Sequence, residues 1–113
     1  MCDCIFCKIN NGEIPSKKIF ENENFFVICD IEPKAKCHYL AIPKKHFKFL
    51  SEMDAESENM LLDIFKTIPL IANDLGLGNG YRMIINQGDD AGQSVPHLHV
   101  HIVGGQALGW TPA

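Results

Sequence analysis

Residues 97–102 alternate strictly between histidine and apolar side chains, a further apolar residue follows at Val103, and this segment constrains the fold more than any other. Successive side chains of a β-strand point to opposite faces of a sheet, so the alternation predicts a strand. One face would carry the three histidines, His97, His99 and His101. The other would face the core with Leu98, Val100 and Ile102. Three imidazoles on one strand add little to packing, and we interpret them as a chemical site rather than as incidental surface residues.

Short apolar runs predict four more strands, over residues 18–20, 25–29, 38–43 and 81–86. A helical repeat of apolar residues begins after Asp54, which can cap a helix, and we expect it to end at Gly76. Pro69 lies inside this repeat and is expected to kink the helix or split it near Thr67. Short strands around one long helix indicate an α+β domain built on an antiparallel sheet.

Size and charge limit the classes of protein to which this chain can belong. Its 113 residues, 46% of them hydrophobic, predict a single domain over residues 1–113. A formal net charge of -4, with no basic stripe, argues against long nucleic acid as a partner. No apolar run approaches the length of a membrane span, so we expect no membrane partner.

The cysteines indicate a compartment. The chain has five, an odd number, and Cys2, Cys4 and Cys7 crowd together where a signal peptide would have a basic and then a longer apolar region. Such a set fits thiols in a reducing compartment better than a secreted disulfide framework. We therefore expect a cytoplasmic protein, or one that is also nuclear.

Two chemistries use several imidazoles on one strand. Histidines two residues apart can converge on one zinc ion, or a neutral imidazole can attack phosphorus as a nucleophile. The loop of residues 87–96 favours the second, because small residues such as Gly92 let backbone amides approach a ligand and Ser94 adds a hydroxyl donor. No lysine or arginine follows Arg82, which suits one phosphate better than a polyphosphate.

The pattern His-x-His-x-His followed by two apolar residues, at positions 97–103, resembles the motif of the histidine triad family. Further motifs resemble the Hint branch of that family, the histidine triad nucleotide-binding proteins. They are Ile5-Phe6 with Lys8-Ile9, Glu13-Ile14-Pro15, Asp30-Ile31 with Pro33, Ile42-Pro43-Lys44-Lys45-His46, Asp74-Leu75-Gly76-Leu77, Gly80-Tyr81-Arg82-Met83, Gly92-Gln93-Ser94-Val95, and Gly104-Gly105 with Trp110. The resemblance covers nearly the whole chain.

This resemblance implies a fold, an assembly and an activity. The fold is a five-stranded antiparallel sheet with one long helix and a short N-terminal helix, and a homodimer joins two such sheets into one of ten strands. The activity is hydrolysis of the P–N bond of purine nucleoside 5′-phosphoramidates, which yields a purine nucleoside monophosphate. The resemblance implies no cofactor for catalysis.

Carried onto this sequence, the resemblance also implies catalytic roles. His99 would attack the α-phosphorus and form a transient nucleotidyl-histidine that water resolves. His101 would hydrogen-bond the phosphate oxygens, and His97 would support the site from its edge. Ser94 would donate to a phosphate oxygen or to the departing amine. His38 would share a proton network with His99, unless it is an incidental strand-edge histidine.

The resemblance assigns a second set of residues to the nucleotide. Asp30 corresponds to a carboxylate that accepts both ribose hydroxyls, although an aspartate at this position could instead cap a turn before Pro33. Asn86 would contact the nucleotide from the preceding strand, and Gly92 from the loop. The base would lie between four apolar residues that could equally be core, Ile9, Ile28, Ile31 and Leu40.

The resemblance also gives Trp110 a role. In the Hint branch the C-terminal segment reaches toward the partner subunit's site, so Trp110 would contact the partner and influence which amine leaves. Residues 107–109, just before it, differ from familiar members and leave the preferred amine open.

A zinc site is a further hypothesis. Cys4 and Cys7 have C-x₂-C spacing, and two histidines would complete a tetrahedral set. In zinc-containing relatives these are the histidine after the Pro-Lys-Lys run and the first of the triad, here His46 and His97. Such a zinc would be structural, because the nucleophile needs its lone pair for phosphorus. The alternative is two reduced thiols on a mobile N-terminus, as many Hint-branch members lack the pair.

Two other functions remain open. The first is a nucleotide-binding or protein-binding scaffold with incidental catalysis, against which the intact His99, His101 and Ser94 argue. The second is a metal-dependent hydrolase that uses all three triad histidines as ligands, whose activity a chelator would abolish.

Overall fold

The computed structural model describes residues 4–109, and its elements alternate between short strands and two helices. In chain order they are α1 (Ile5–Asn10), β1 (Phe20–Glu21), β2 (Phe25–Cys29), β3 (Cys37–Pro43), α2 (Ala55–Ile71), β4 (Tyr81–Ile84) and β5 (Val100–Gly104). Short 3-10 turns lie at Leu50–Glu52 and Asp89–Ala91. Over this part of the chain, neither helix has the length and apolar character needed to cross a membrane.

The strands form one antiparallel sheet in the order β1-β2-β3-β5-β4. At its centre β3 pairs with β5, which sets Leu40 opposite His101 and His38 opposite Val103. Strand β4 lies at an edge and, within residues 4–109, pairs with β5 alone. The predicted α+β class is confirmed, with its five-stranded antiparallel sheet, one long helix and a short N-terminal helix.

The two faces of the sheet bury different side chains. One face packs against α2, where Ile64 and Ile68 are fully buried. The other packs against α1, whose Phe6 and Ile9 contact apolar residues of β2 and β3. Truncating a buried isoleucine to alanine in such a core costs about 2–5 kcal/mol. The sheet therefore separates one core, under α2, from a second core, under α1.

Helix α2 begins as predicted but is not split. The carboxylate of Asp54 accepts a hydrogen bond from the backbone N–H of Ser57 over 3.0 Å, and Asp54 is the N-cap. Of the two predicted effects of Pro69, a kink or a split near Thr67, the split is wrong, because α2 continues unbroken to Ile71 with Pro69 inside it. Pro69 and Phe65 are both exposed, so water can satisfy the Phe65 carbonyl that loses its partner at the proline.

The predicted end of this helix at Gly76 also needs correction, because α2 ends at Ile71. A further turn follows, in which the Leu77 N–H donates to the Ala72 carbonyl over 2.8 Å and the Gly76 N–H donates to the Asn73 carbonyl. Gly76 has a φ of 78°, the left-handed conformation that favours glycine and that closes such turns. Gly76 ends this extra turn rather than the helix itself.

Four of the five strands differ in their bounds from the predicted ones, and the third differs only in beginning at Cys37. The first strand covers Phe20–Glu21, the fourth Tyr81–Ile84 and the last Val100–Gly104, so His97 and His99 precede the last strand. Pro43 ends β3 and has no N–H with which to continue the ladder. The Leu98 N–H donates instead to the carbonyl of Phe47 over 2.7 Å. This hydrogen bond holds the segment that precedes Val100 against Phe47, outside the sheet.

Candidate functional site

The triad histidines lie on the α1 side of the sheet, as the alternation predicts. Phe6 of α1 makes edge contacts with the rings of His97 and His99, whose centroids lie 5.8 and 5.1 Å from its own. His101 lies opposite Leu40, which belongs to the α1-side core. The alternating apolar residues, Leu98, Val100 and Ile102, are fully buried in the core under α2. His97 and His99 are buried, and His101 is half-buried.

The main chain fixes the proton of His99. Its Nδ1 lies 2.8 Å from the carbonyl oxygen of His97, and because a carbonyl only accepts, Nδ1 carries the proton and donates. In the neutral ring the lone pair then belongs to Nε2. His99 therefore presents an unprotonated nitrogen as a nucleophile or a base.

Two successive hydrogen bonds determine which ring nitrogen of His101 carries the proton. The backbone N–H of Lys34 donates to Nδ1 of His38 over 2.9 Å, so neutral His38 carries its proton on Nε2. That Nε2 lies 2.9 Å from Nδ1 of His101 and donates to it. His101 must then hold its own proton on Nε2, as a donor. The predicted network of His38 thus runs to His101, whose ring packs 5.0 Å from that of His99.

Asp30 joins the same cluster. One carboxylate oxygen, Oδ1, accepts the backbone N–H of Glu32 over 2.8 Å, which is the turn-capping contact considered above. The other, Oδ2, lies 3.3 Å from Nε2 of His38 and 3.8 Å from Nδ1 of His101. Asp30 therefore combines a structural contact with a carboxylate oxygen beside the histidine pair.

Burial lowers the pKa of three histidines, His38, His97 and His101, and so favours their neutral forms. Desolvation lowers the pKa of His101 to about 4, assisted by the neighbouring His99 and His38 and opposed by Asp30. Desolvation also lowers the pKa of His38, against the charge of Asp30. For His97, burial lowers the pKa to about 4, against the hydrogen bond to the Pro43 carbonyl. Neutral rings hold fixed tautomers, which the hydrogen bonds above require.

A cavity of about 650 Å³ opens beside the cluster. It is lined by most of the residues that sequence analysis assigned to catalysis or to the nucleotide: Ile9, Ile28, Asp30, Ile31, His38, Leu40, Asn86, Gly92, Ser94, His99 and His101. Ile9, Ile28 and Leu40 are buried in its wall, whereas Ile31 is 93% exposed at its mouth. A cavity of this size suits a mononucleotide-sized ligand.

The side chain of Gln93 holds the loop before the triad in place. The Gln93 side chain accepts the Gly88 N–H over 2.9 Å and donates to the Lys48 carbonyl over 3.2 Å. Gly92 has a φ of 78°, which a side-chain-bearing residue adopts only with strain. These contacts hold the loop in which Gly92 and Ser94 line the cavity, to whose wall His99 also contributes.

His97 belongs to a different cluster. Its Nε2 lies 2.8 Å from the Pro43 carbonyl and donates to it, so the lone pair is on Nδ1. That Nδ1 lies 3.4 Å from Cys4 Sγ, 3.6 Å from Cys7 Sγ and 3.1 Å from His46 Nδ1. These separations are close to the roughly 3.3–3.8 Å between ligands of a tetrahedral zinc ion with Zn–N and Zn–S bonds of ordinary length. The four side chains fit a structural zinc.

A second group of ligand types, Asp30, His38 and His101, lies within metal-binding distance. It suits a proton chain better than a metal, because the Lys34 N–H places the proton of His38 on Nε2, the nitrogen that would have to bind the ion. Within residues 4–109 no such group unites the three triad histidines. The metal-dependent hydrolase with three triad ligands is therefore not supported.

Three contributors were missed by sequence analysis. They are the ring of Phe6, the carbonyl of Pro43 and the backbone N–H of Lys34. Main-chain groups leave no mark in a sequence, and Phe6 was noted only as part of the Ile5-Phe6 motif of the family resemblance, without a role in the site. The predicted Trp110, like Cys2, lies outside the described residues.

Comparison with known proteins gave consistent matches over most of the chain. The model of the HIT domain matches residues 11–108. An uncharacterized HIT-like protein of Chlamydia muridarum is 48% identical over 105 residues, which cover 93% of this chain and 83% of the relative.

Three solved structures resemble the fold. A HIT family hydrolase from Legionella pneumophila superposes with a TM-score of 0.90 at 38% identity, covering 98% of this chain and all of that one. A histidine triad nucleotide-binding protein from Candida albicans has a TM-score of 0.80 at 34% identity, covering 98% and 85%. A zinc-bound histidine triad family protein from Mycobacterium smegmatis has a TM-score of 0.77 at 37% identity, covering 89% and 73%. With its histidine triad beside a nucleotide-sized cavity, this chain belongs to the HIT family.

Proposed function

We propose that this protein hydrolyses the P–N bond of purine nucleoside 5′-phosphoramidates through a nucleotidyl-histidine on His99, as a member of the Hint branch. The observation that carries this proposal is the hydrogen bond from Nδ1 of His99 to the His97 carbonyl, which leaves the lone pair of the neutral ring on Nε2. Similarity to a family hydrolase and to a nucleotide-binding protein supports the reaction class and the ligand class.

The reaction consists of two displacements at one phosphorus. In the first, Nε2 of His99 bonds to the α-phosphorus while the P–N bond breaks, and the amine departs with the proton of the Ser94 hydroxyl. In the second, water attacks the phosphorus and gives a proton to the Ser94 oxygen. The bond from phosphorus to Nε2 breaks, and the nucleoside monophosphate leaves. Both side chains return to their starting forms.

His101 would stabilise charge on the phosphate in both steps. The hydrogen bond from His38 keeps its proton on Nε2, where it can donate to a phosphate oxygen. Donors held in place before the reaction stabilise developing charge without reorganisation, and removing one typically costs about 10²-fold to 10³-fold in rate. Asn86 and the loop around Gly92 line the same cavity and would contribute further contacts.

The nucleoside would occupy the rest of the cavity. The buried side chains of Ile9, Ile28 and Leu40 offer an apolar wall for a purine base. Oδ2 of Asp30 is an acceptor for the ribose hydroxyls, while Oδ1 holds the turn. Ile31, exposed at the mouth, could cover the base from the solvent side.

A structural zinc ion would be held by Cys4, Cys7, His46 and His97. Zinc in such a site contributes folding energy and would anchor α1, because Cys4 is the N-cap of this helix and Cys7 lies within it. The fit of the four ligand atoms and the zinc-bound relative from Mycobacterium smegmatis support this assignment. No step of the reaction passes through this site, because His99 is outside the ligand group.

We propose a homodimer in which β4 pairs with the same strand of a second copy. Strand β4 has one edge without a partner within residues 4–109, and unpaired edges are normally covered. The neighbouring segment of chain, α2, exposes Leu62, Phe65 and Leu70. Trp110 would reach the partner's site. The four described cysteines are thiols, which fits the proposed cytoplasmic or nuclear location of a single domain.

The test is release of amine from a fluorogenic adenosine phosphoramidate by the wild type and by His99→Ala, each with and without a chelator. We expect a loss of about 10²-fold or more in the variant and no effect of brief chelation on the wild type. Equal rates, or no activity in either protein, would contradict the hydrolase. Nucleotide binding without turnover would instead favour the binding scaffold.

A further inference from the structure

His38 has one proton to donate and two acceptors beside it. Its Nε2 lies 2.9 Å from Nδ1 of His101 and 3.3 Å from Oδ2 of Asp30. The backbone N–H of Lys34 occupies the other ring nitrogen as a donor, so His38 has no second proton to offer while it is neutral. Burial, which lowers the pKa of His38, keeps it neutral. Asp30 and His101 therefore compete for a single hydrogen bond.

The competition decides what His101 offers to a ligand. When the proton of His38 points at Nδ1 of His101, that nitrogen accepts and His101 carries its own proton on Nε2. When the proton points at Asp30 instead, nothing holds this tautomer, and the proton of His101 can move to Nδ1, which lies 3.8 Å from the same carboxylate oxygen. In that state Nε2 of His101 accepts and would repel a phosphate oxygen.

A bound ribose ring would decide which of the two acceptors receives the hydrogen bond from His38. Hydroxyl groups that donate to Oδ2 of Asp30 satisfy its lone pairs and weaken its attraction for the proton of His38. The proton then stays with His101, and Nε2 of His101 stays a donor. Asp30 is accessible for this, because it lines the cavity with 17% of its side chain exposed.

We propose that His38 is a positioning residue which couples occupancy of Asp30 by a ribose diol to the donor form of His101, so that ribonucleotides are favoured in turnover and not only in binding. This inference rests on the proposed function for the identity of the reacting group. It specifies the substrate class further, as nucleotides with a free vicinal diol. A carboxylate that only bound the ribose would change KM and leave kcat unaffected.

Kinetics with matched substrates test the coupling. We would compare adenosine and 2′,3′-dideoxyadenosine phosphoramidates of the same amine on the wild type, His38→Phe and His38→Gln. For the wild type we expect a kcat about 3-fold to 10-fold higher with the diol, the size of one ordinary hydrogen bond. In His38→Phe this kcat ratio should fall to about 1 while the KM ratio persists. His38→Gln, which can still donate to His101, should recover part of it.

A binding measurement separates this inference from the proposed reaction. In wild-type protein labelled with ¹⁵N-histidine, adenosine monophosphate should move His101 toward the tautomer protonated on Nε2, and the dideoxy monophosphate should do so less. An equal His101 tautomer with both ligands, or an unchanged kcat ratio in His38→Phe, would overturn the coupling even if the enzyme is active. Absence of hydrolysis with an intact tautomer response would overturn the reaction and leave the coupling supported.

Discussion

The Nδ1–H of His99 donates to the carbonyl oxygen of His97 over 2.8 Å, so the tautomer of one triad histidine is set by the main chain of another. His97 has the opposite tautomer, because its proton is on Nε2. The lone pair on its Nδ1 faces Cys4, Cys7 and His46. His97, which fits a metal ligand, therefore lies only two residues before His99, which fits a nucleophile. Metal site and cavity share a stretch of backbone but no ligand atom.

Replacing Cys7 with alanine should remove bound zinc from the purified protein. Metal analysis of the wild type should give one zinc per chain, and Cys7→Ala should give much less than one. Because metal binding to such a site contributes to folding, we expect Tm to fall by about 10 °C or more. Cys29→Ser is the matched control, since Cys29 is exposed and outside the ligand group. Wild-type protein without zinc, or Cys7→Ala that retains it, would contradict the site.

Ser94→Ala should slow hydrolysis in a way that depends on the leaving amine. If the hydroxyl gives its proton to the amine, the loss should reach about 10²-fold for a basic alkylamine and shrink toward a few-fold for a weakly basic arylamine. Steady-state kinetics with both substrates measure this. Ser16→Ala serves as control, because Ser16 lines the same cavity away from the triad loop. An equal loss with both amines would mean that Ser94 only binds phosphate.

The low pKa of His101 predicts a stability loss in acid. An unfolded histidine titrates near 6.5, whereas burial holds the pKa of folded His101 at about 4. As the pH falls below about 6.5 the unfolded state takes up a proton first, so the contribution is full above this value and is lost toward pH 4. The groups facing His101 are His38, His99 and Asp30.

Urea denaturation at pH 7 and pH 5 would measure this effect. The wild type should lose about 1–2 kcal/mol more unfolding free energy over this interval than His101→Gln, which has no proton to gain. Protonation at the cysteine and histidine cluster around His97, which lies apart from His101, affects both proteins equally. The same loss in both would show that His101 titrates normally in the folded protein.

Pro69→Ala should stabilise the protein without changing its activity. The alanine restores an N–H that can donate to the Phe65 carbonyl inside an unbroken helix, and we expect a gain of about 1–3 kcal/mol. Urea denaturation measures the gain, with the exposed Lys66→Ala as a control that should change stability by less than about 0.5 kcal/mol. A loss of stability would mean that the proline ring contributes packing which outweighs its missing hydrogen bond.

The sequence was most informative where side-chain pattern determines structure. Strict alternation over residues 97–102 correctly separated the histidines from Leu98, Val100 and Ile102, although the strand itself begins only at Val100. Its start depends on Pro43 in a different strand, a long-range effect that no local pattern reveals. Pro69 shows the opposite error, because a local rule allowed a split of the helix as one of two outcomes, and solvent exposure of the proline makes that split unnecessary.

The site was predictable in its residue types but not in its hydrogen bonds. The cysteine spacing and the family resemblance identified Cys4, Cys7, His46 and His97, and the structure brings all four together. The ring nitrogen that carries the proton in each histidine could not be predicted, because it depends on the carbonyls of His97 and Pro43 and on the N–H of Lys34. Those contacts form only when distant segments pack.

The most direct test of the account is detection of the covalent intermediate. Wild-type protein would be mixed with an adenosine phosphoramidate, quenched in acid within the first turnover and digested, and the peptides would be analysed by mass spectrometry. We predict an adenylyl group on His99, present in the wild type and absent from His99→Ala. Turnover by the wild type with no adduct at His99, or an adduct on another residue, would contradict the nucleophilic role on which the proposal depends.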